Sequence, residues 1–426
     1  MSIMEKLSFI ATDQVRQVQK QYGTPVFVYD QKTLEAQAQK ALAFPNAFGL
    51  TARYAMKACP NAAVIRILNL AGLHIDASSG YEARRAMRVG VPASQIQITA
   101  QQLPDDLEEL INKGVLFNAC SLHQLRSYGQ LCRGKEVSVR INPGLGSGHS
   151  NRTNVGGPSS SFGIWHEHLD EVVTIAREYD LRIVGLHSHI GSGSDPQVWQ
   201  TCARLTLDVA ARLSDVDRVS LGGGFKVGRM TGEKSTDLQE AGKPVVGEFE
   251  RFASEHGRQL HLEIEPGTFF VANAGALIAT IIDVVDTGAE GYRFLKVDSG
   301  MTEVLRPSLY GAQHPIVVIA ADESERGTAE YLIAGHCCES GDILTPAPDN
   351  PEGLQTRQLT EAKIGDAVFI GGSGAYCAGM SAKNYNSFPE APELILASDG
   401  TLHLTRQRQT LDQVLANEQL PEFLAV

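Results

Sequence analysis

The sequence predicts a (β/α)8 barrel followed by a second, β-rich domain, and three observations support this. Short runs rich in β-branched residues recur as far as residue 267, and each ends in polar or glycine residues. Segments with apolar residues at three- and four-residue spacing lie between these runs, which is typical of helices. Past about residue 272 the helical spacing largely vanishes and strand-like runs take over. A chain of 426 residues is long enough for a barrel and a further domain.

The first part of the chain contains eight strand-like runs, which is the number that a closed (β/α)8 barrel needs. Parallel strands of this kind are buried on both faces. An open doubly wound sheet is the alternative, but the eight units and the lack of a G-x-G-x-x-G motif after the first strand weigh against it. The predicted strands are "ARYAMKA" (52–58), "LHIDASS" (73–79), "IQITA" (96–100), "LFNACS" (116–121), "EVSVRINPG" (136–144), "RIVGLHSHIGSG" (182–193), "VSLGGG" (219–224) and "LEIEPG" (262–267).

The segments between these strands are predicted to be helices, and the barrel is assigned to residues 29–272. The glycine- and serine-rich stretch 144–163 predicts a functional loop, because long irregular loops in compact domains usually serve a function. The predicted helices are "NAAVIRILNLAG", "SGYEARRAMRVG", "DDLEELINKG", "SLHQLRSYGQL", "HLDEVVTIAREYD" and "QTCARLTLDVAARL".

The remaining residues, 1–28 and 273–426, are assigned to an antiparallel β domain, since turn residues separate consecutive strand-like runs. Residues 1–28 lead into the strand-like "PVFVYD", which is expected to pack on this domain. A short helix, "TLDQVLANEQ", is predicted near the end. The predicted strands are "GALIATIIDVV", "YRFLKVDS", "HPIVVIAAD", "AEYLIAG", "DAVFIGG", "PELILASDG" and "TLHLTRQ".

Composition excludes several classes of partner. The formal net charge of −12 argues against a nucleic-acid or anionic-membrane partner, since both require a basic face. The N-terminus has charges where a signal peptide needs an apolar core, and no apolar run reaches membrane-spanning length. The seven cysteines are odd in number and form no C-x-x-C pair, which favours reduced thiols and a cytoplasmic location.

The predicted strand ends carry an unusual set of side chains, and in a barrel this is where functional residues collect. Each has an ordinary interpretation: a lone lysine is usually a solvated surface residue, one ring of H-x-H is usually packed, and G-G-G or E-P-G is usually a turn. Their coincidence in one barrel instead indicates a phosphate-bearing cofactor with an aldehyde. The residues are Lys57, Asp76, Ser79, His187, His189, Gly191, Ser192, Gly222, Gly223, Gly224, Glu265 and Gly267.

The chemistry of pyridoxal 5′-phosphate fits this set. Backbone N–H groups of a glycine-rich turn can hold a phosphate, because no side chain blocks its approach. Lys57 can form a Schiff base with an aldehyde. His189 can stack on a flat aromatic ring, and Glu265 can pair with a pyridinium nitrogen, which makes the ring an electron sink.

The chain resembles the fold-type III pyridoxal-phosphate decarboxylases over nearly its whole length. The resemblance implies a PLP-dependent carboxy-lyase, and within the family it points to members that convert meso-2,6-diaminopimelate to L-lysine and CO₂. The motifs that carry it are "YAMKAC", "INPGLGSGHSNRTNVGGPSSSFGIW", "GLHSHIGSG", "GGGF", "EIEPG", "LRPSLYG", "CESGD" and "GAY…MS…NYNS".

The resemblance also implies a role for each site residue. Lys57 carries the cofactor, His189 stacks on its ring and Glu265 pairs with the ring nitrogen. Arg306 and Tyr310 bind the far end of the substrate. The phosphate is held by Ser192, Gly222, Gly223, Gly224 and Gly267, with Tyr376 reaching the cofactor and the substrate.

The stretch "GHCCESGDIL" (335–344) raises the question of what a thiol beside a carboxylate does. Family members are homodimers in which each active site receives "CESGD" from the other subunit. Cys338 is therefore expected to return a proton to Cα of the substrate, and Glu339 to meet its distal ammonium group. No role is assigned to Cys337, and adjacent cysteines lack the spacing of common zinc motifs, so no metal is expected.

Two positions depart from the family pattern and leave alternatives open. Thr268 stands where the family has the arginine of E-P-G-R, Phe388 replaces the arginine of "NYNSRP", and Lys383 is inserted just before. Another diamino acid or a carrier-linked amino acid is therefore an alternative substrate. An amino-acid racemase of the same fold is a further alternative, although "CESGD" fits a decarboxylase better. A third alternative is a protein that only binds and buffers PLP. The long second domain argues against it, because such proteins consist of a single domain.

Overall fold

The computed structural model describes residues 4–144, 156–189, 193–322 and 324–424. The backbone divides into two compact units. The barrel unit comprises Leu34–Gly228 and Lys234–Phe270, and the β unit comprises Met1–Thr33, Arg229–Glu233 and Val271–Val426.

The barrel unit confirms the predicted fold class. Within the described ranges, eight parallel strands pair in sequence order, and the eighth pairs with the first, so that the ring is closed. A short strand, Ile164–Trp165, pairs with the fifth strand outside the ring. The barrel strands, one to eight, are Leu50–Ala55, His74–Ala77, Ile96–Ile98, Leu116–Ala119, Glu136–Asn142, Arg182–His187, Arg218–Ser220 and His261–Ile264.

Helices follow the barrel strands, and each predicted helix is present. Several begin at a side chain that caps free backbone N–H groups, as Ser79 does for Glu82 N and Ser121 for Gln124 N. The helices Gln31–Leu42 and Leu238–His256 were not predicted. The other helices are Ala62–Leu70, Gly80–Arg88, Leu107–Asn112, Leu122–Leu131, Leu169–Glu178, Pro196–Ala210 and Thr268–Val271.

The interior of the barrel is partly polar. Arg53 on the first strand and Glu263 on the eighth form a buried ion pair of 2.9 Å. A buried charge is costly unless it is paired, and here each of the two side chains supplies the partner of the other. Polar side chains of other strands lie towards the carboxyl ends, where the predicted site residues are.

The β unit is a nine-stranded sheet among the described residues, and it is mostly antiparallel as predicted. Val26–Asp30 is fully buried within it, antiparallel to Gly275–Asp286 and parallel to Glu393–Leu396. One other pair is parallel, Arg293–Val297 with Thr328–Ala334. The other strands of the sheet are Ile316–Ile319, Arg357–Thr360, Ala367–Ile370 and Leu402–Arg406, and a separate hairpin joins Pro346–Ala347 to Asn350–Leu354.

Short helices complete the β unit. Thr12–Tyr22 buries Val15 and Val18 in the apolar core of the sheet. Arg306–Tyr310 is a single turn, and Leu411–Val414 is shorter than the helix predicted there. None of the described helices combines the length and the apolar character that crossing a membrane requires.

Candidate active site

Lys57 directly follows the first barrel strand, in the 3₁₀ turn Met56–Ala58. Hydrogen bonds hold this turn: Cys59 N donates to Met56 O (3.2 Å), and the Tyr54 hydroxyl donates to Cys59 O (2.8 Å). The side chain of Lys57 is exposed. Its charge opposes the rise in the pKa of Asp76 at the end of the next strand. The lysine amine therefore belongs to the carboxyl-end mouth of the barrel, as predicted from its place in the sequence.

Gly267 packs against the turn that carries Lys57. A Cβ at Gly267 would lie 3.1 Å from Ala55 O and 3.2 Å from the Cβ of Ala58. The Ala55 N–H also donates to Pro266 O at 3.1 Å. The backbone after the eighth strand thus meets the backbone after the first, at a distance that suits glycine.

Glu265 lies at the centre of a buried hydrogen-bond network. Its Oε2 accepts from His187 Nε2 at 2.9 Å, and its Oε1 accepts from the Ser220 hydroxyl at 2.8 Å and from Gln97 Nε2 at 3.4 Å. Burial alone would raise the pKa of Glu265, but His187, Ser220 and the charge of Arg53 outweigh it and lower this pKa to about 2. Glu265 is therefore a carboxylate at neutral pH.

Asp76 is a second buried carboxyl group at the same mouth, and it behaves in the opposite way. Burial and the negative charge of Glu265 raise the pKa of Asp76 to about 7. Two carboxylates that share a site do not both ionise easily. Since Glu265 has the stronger positive partners, the negative charge is localised on Glu265.

His189 follows the sixth strand and packs against the glycine turn after the seventh. A Cβ at Gly222 would collide with the His189 ring, so the ring lies directly on the backbone there. Burial, together with the nearby charge of Arg140, lowers the pKa of His189 well below its usual value. The imidazole is therefore neutral, which suits stacking on an aromatic ring.

The glycine turn after the seventh strand has no room for side chains. Gly222 and Gly224 have φ of +72° and +98°, in the region that favours glycine. A Cβ at Gly223 would collide with Glu265 O, so this residue also has no room for a side chain. The Gly193 N–H donates to Gly224 O at 2.9 Å, which joins the turn to the segment after the sixth strand.

The residues present fit pyridoxal 5′-phosphate. The mouth of the barrel combines a lysine amine, a neutral imidazole, a charged carboxylate and a glycine turn. Several buried polar atoms there have no hydrogen-bond partner among the described residues, and such atoms call for a polar ligand. These atoms are Asp76 Oδ1, Gln97 Oε1, Asn118 Oδ1 and His189 Nδ1. Ser192, also predicted to hold the phosphate, lies outside the described residues.

Sequence reasoning missed some of the polar residues around Glu265. Gln97, Asn118, Arg140 and Ser220 are all buried in the barrel, each within or at the end of a strand. The available signal was a polar residue inside an otherwise apolar run, as in "IQI" (96–98) or "RVS" (218–220). His187 was named among the strand-end residues without a role of its own, and in the structure it hydrogen-bonds to Glu265.

The predicted substrate-binding residues lie in the β unit. Arg306 and Tyr310 begin and end one helical turn, Arg306–Tyr310. The Nε of Arg306 is buried without a hydrogen-bond partner among the described residues. Tyr376 has φ of +56°, an uncommon conformation for a residue with a side chain.

Cys338 and Glu339 also lie in the β unit, and both are exposed. The Cys338 N–H donates to Asn386 Oδ1 at 2.9 Å, which fixes the backbone of this segment. Glu339 and the inserted Lys383 line an open surface depression of about 440 Å³. Cys337 is buried instead, and burial followed by the charge of Asp342 raises its pKa to about 12, so its thiol is unreactive.

Comparisons with known proteins identify the family. The family "Pyridoxal-dependent decarboxylase, pyridoxal binding domain" matches residues 32–272. Diaminopimelate decarboxylase of Streptomyces coelicolor is 36% identical over 409 residues, which cover 94% of this chain and 90% of that protein.

Solved structures agree with this assignment. A crystal structure of diaminopimelate decarboxylase superposes with a TM-score of 0.89 at 33% identity, covering 95% of this chain and 96% of that chain. The Helicobacter pylori diaminopimelate decarboxylase complexed with L-lysine gives a TM-score of 0.82 at 25% identity, covering 94% and 98%. The chain therefore belongs to the pyridoxal-dependent decarboxylases, in the family of the diaminopimelate decarboxylases.

Proposed function

We propose that this chain is a PLP-dependent carboxy-lyase that converts meso-2,6-diaminopimelate to L-lysine and CO₂, the last step of lysine biosynthesis. One observation carries the proposal: 36% identity with a diaminopimelate decarboxylase extends over 94% of the chain. Both the barrel unit and the β unit are therefore included in the match. The mouth of the barrel supplies the residue types that the chemistry requires.

Residues at the mouth of the barrel would hold the cofactor. Lys57 would bind it covalently through its amine, and the neutral ring of His189 would lie on its aromatic face. When bound, PLP supplies an electron sink for the pair of electrons left when the C–CO₂⁻ bond breaks. The phosphate would be held by Ser192, Gly222, Gly223, Gly224 and Gly267, and Tyr376 would reach the cofactor.

Glu265 would keep a proton on the ring nitrogen of the cofactor. A carboxylate can do this only if it stays charged, and the low pKa of Glu265 ensures that it does. His187 and Ser220 hold the carboxylate in place through hydrogen bonds of 2.9 and 2.8 Å. These two residues are positioning residues for Glu265.

Protonation of the substrate would come from a second subunit. We propose a homodimer in which Cys338 of one subunit donates a proton to Cα of the substrate bound in the other, and Glu339 meets the distal ammonium group. The exposure of both side chains on the β unit supports this role, since a residue that acts in trans must lie at the surface. A thiol is a suitable donor near neutral pH.

Two residues of this chain favour a second candidate function, in which the reaction is the same but the substrate differs. Thr268 and Phe388 replace two arginines of the family, so two cationic groups for a distal carboxylate are missing. A related decarboxylase acting on another diamino acid or a carrier-linked amino acid is the second candidate. Arg306 and Tyr310 remain for the distal group, and Arg152 in the 144–163 loop lies outside the described residues.

Carbon dioxide release from a panel of amino acids tests the proposal. Purified protein with PLP is assayed with meso-diaminopimelate, L-lysine, L-ornithine and 2,3-diaminopropionate, and Lys57→Ala serves as the inactive control. The expected result is a kcat/KM for diaminopimelate that exceeds each of the others. A preference for any monocarboxylate would contradict the substrate assignment, while no release from any substrate would contradict the reaction.

The thiols support a proposal for the location of the protein. All seven cysteines are free, and six of them are buried. We propose that the protein acts in the cytoplasm, where thiols are kept reduced.

A further inference from the structure

Two arginines of the β unit each have a buried guanidinium nitrogen atom without a hydrogen-bond partner among the described residues. Arg229 Nη2 and Arg306 Nε have no hydrogen-bond partner among the described residues. Neither arginine forms an ion pair with any carboxylate that the structure describes. A buried donor on a charged group is costly when it is left unpaired, so these atoms indicate a negatively charged ligand.

Arg229 is held rigidly in place. Its Nε donates to Gly372 O at 3.1 Å. Its stem packs on Gly372 so closely that a Cβ there would lie 2.9 Å from Arg229 Cδ. The carboxylate of Glu233 does not neutralise it directly, because Glu233 Oε2 accepts from the backbone N–H groups of Arg229 (2.8 Å) and Met230 (3.2 Å).

The positive charges of the two arginines affect each other and the titratable groups around them. Burial and then the charge of Arg306 lower the pKa of Arg229 to about 9. Burial followed by the charges of Arg306 and Arg229 also lowers the pKa of His314 well below its usual value, so His314 is neutral. Burial raises the pKa of the nearby Cys377 thiol to about 11, and this thiol is neutral as well.

We propose that Arg229 and Arg306 together bind the distal carboxylate of the substrate, and that Arg229 is the specificity-determining residue which makes up for the arginine absent at position 268. The inference rests on the proposed function, and it deepens it by naming the substrate class: amino acids with a second carboxylate. Two unpaired N–H donors match the two oxygens of a carboxylate. Arg229 was not among the residues predicted from the sequence.

Binding of pimelate tests the inference independently of turnover. Pimelate has two terminal carboxylates and no amine, so it cannot react with the cofactor. Titration calorimetry on the PLP-loaded protein compares wild type, Arg229→Met, Arg229→Lys and the control Arg293→Met, which removes an exposed arginine of the same unit. The melting temperature of each variant checks that it is folded.

We expect the Kd for pimelate to rise by about 10- to 100-fold in Arg229→Met, as for the loss of a charged hydrogen bond. The rise should be smaller in Arg229→Lys, which keeps the charge, and absent in Arg293→Met. The ratio of kcat/KM for diaminopimelate to that for L-lysine should fall in Arg229→Met by a similar factor.

Two results would overturn the inference. One is an unchanged Kd for pimelate in Arg229→Met, or no binding of pimelate to the wild type. The other is weaker binding of PLP in Arg229→Met with pimelate binding intact, which would assign Arg229 to the cofactor phosphate. If pimelate binds through Arg229 but diaminopimelate yields no CO₂, the carboxylate site stands and the proposed function fails.

Discussion

Two carboxyl groups at the mouth of the barrel have pKa values that are shifted in opposite directions by their neighbours. Glu265 accepts hydrogen bonds from His187 and Ser220 and has a pKa of about 2. Asp76 is equally buried, but its hydrogen bond with Thr99 and the charge of Lys57 do not outweigh burial and the charge of Glu265, so its pKa rises to about 7. The hydrogen bonds and charges around each carboxyl group therefore decide how readily it ionises.

Glu265 itself could be predicted, because a glutamate before P-G at a strand end is visible in the sequence. Its partners could not be predicted in the same way. Ser220 and His187 lie 45 and 78 residues away from Glu265, and they meet it only when the strands close into a barrel. The sequence gives the residue types, but their hydrogen-bond partners depend on the stagger of neighbouring strands.

Glu303 in the β unit provides a pH test at the residue scale. Its Oε2 accepts from the hydroxyls of Ser299 (3.0 Å) and Thr302 (2.7 Å), and burial raises its pKa from 4.5 to about 7. Between these two values the folded state binds more protons than the unfolded state. The free energy of unfolding should therefore fall as pH rises through this window.

The substitution Glu303→Gln should remove this fall in the free energy of unfolding at higher pH. We expect the variant to match wild type near pH 5 and to be more stable at pH 8, by on the order of 2–3 kcal/mol. Thermal unfolding from pH 5 to 8 measures the difference, with the exposed Glu290→Gln as the control. A difference between Glu303→Gln and wild type that does not change with pH would contradict the assignment.

At the scale of elements, the segment with Cys338 and Glu339 is held from both ends. Asp342 accepts hydrogen bonds from Met301 N (2.7 Å) and Cys337 N (2.9 Å). The Asn386 side chain accepts from Cys338 N. The thiol and the carboxylate are therefore presented from a fixed backbone, although both side chains are exposed.

Phe388, where the family has arginine, has a structural role in the same region. Its ring stacks on His336 with centroids 3.7 Å apart and an interplanar angle of 9°. His336 is also hydrogen-bonded to the Thr302 hydroxyl at 2.7 Å. The substitution thus replaces a cation with an aromatic ring that supports the residue just before Cys337.

Removal of the Asn386 side chain should affect turnover more than cofactor binding. Asn386 has φ of +51°, so Asn386→Gly keeps the backbone conformation and removes the acceptor, whereas Asn386→Asp keeps the acceptor. We expect kcat to fall by about 3- to 10-fold in Asn386→Gly, as for one lost hydrogen bond, and to recover in Asn386→Asp. The visible absorbance of the bound cofactor should be unchanged. Equal kcat values for Asn386→Gly and wild type would contradict this positioning role.

The missed helices show where sequence patterns fail at this scale. Leu238–His256 contains Pro244, Gly242 and Gly247, which interrupt the helical signal, and tertiary packing maintains the helix nevertheless. Thr12–Tyr22 is mostly polar and has only two buried apolar residues, Val15 and Val18, so few apolar positions mark it as a helix. The barrel strands were found because each is a short, largely buried run between turn residues, and several of them are rich in β-branched residues.

At the scale of the whole molecule, the β unit is assembled from segments far apart in the sequence. Val26–Asp30 pairs with Gly275–Asp286 on one side and with Glu393–Leu396 on the other. The strand itself was predicted, but its two partners and the parallel pairing were not. The residues of a strand do not by themselves determine which other strands it pairs with.

The proposed dimer can be tested by mixing two inactive variants. If Cys338 acts in trans, Lys57→Ala and Cys338→Ala should form hybrids with one intact site and one doubly damaged site. At equal mixing about half of the dimers are hybrids, so roughly a quarter of the wild-type activity should return. Absence of activity despite demonstrated exchange of subunits would count against a shared site.

The central claim is decarboxylation of meso-diaminopimelate at the Lys57 site, and mass spectrometry of the reaction in D₂O tests it most directly. The account predicts L-lysine with one deuterium on the carbon that lost its carboxylate, in equal amount to the CO₂ released, and no product with Lys57→Ala. Diaminopimelate that gains deuterium without release of CO₂ would indicate a racemase and contradict the account, as would recovery of unlabelled substrate.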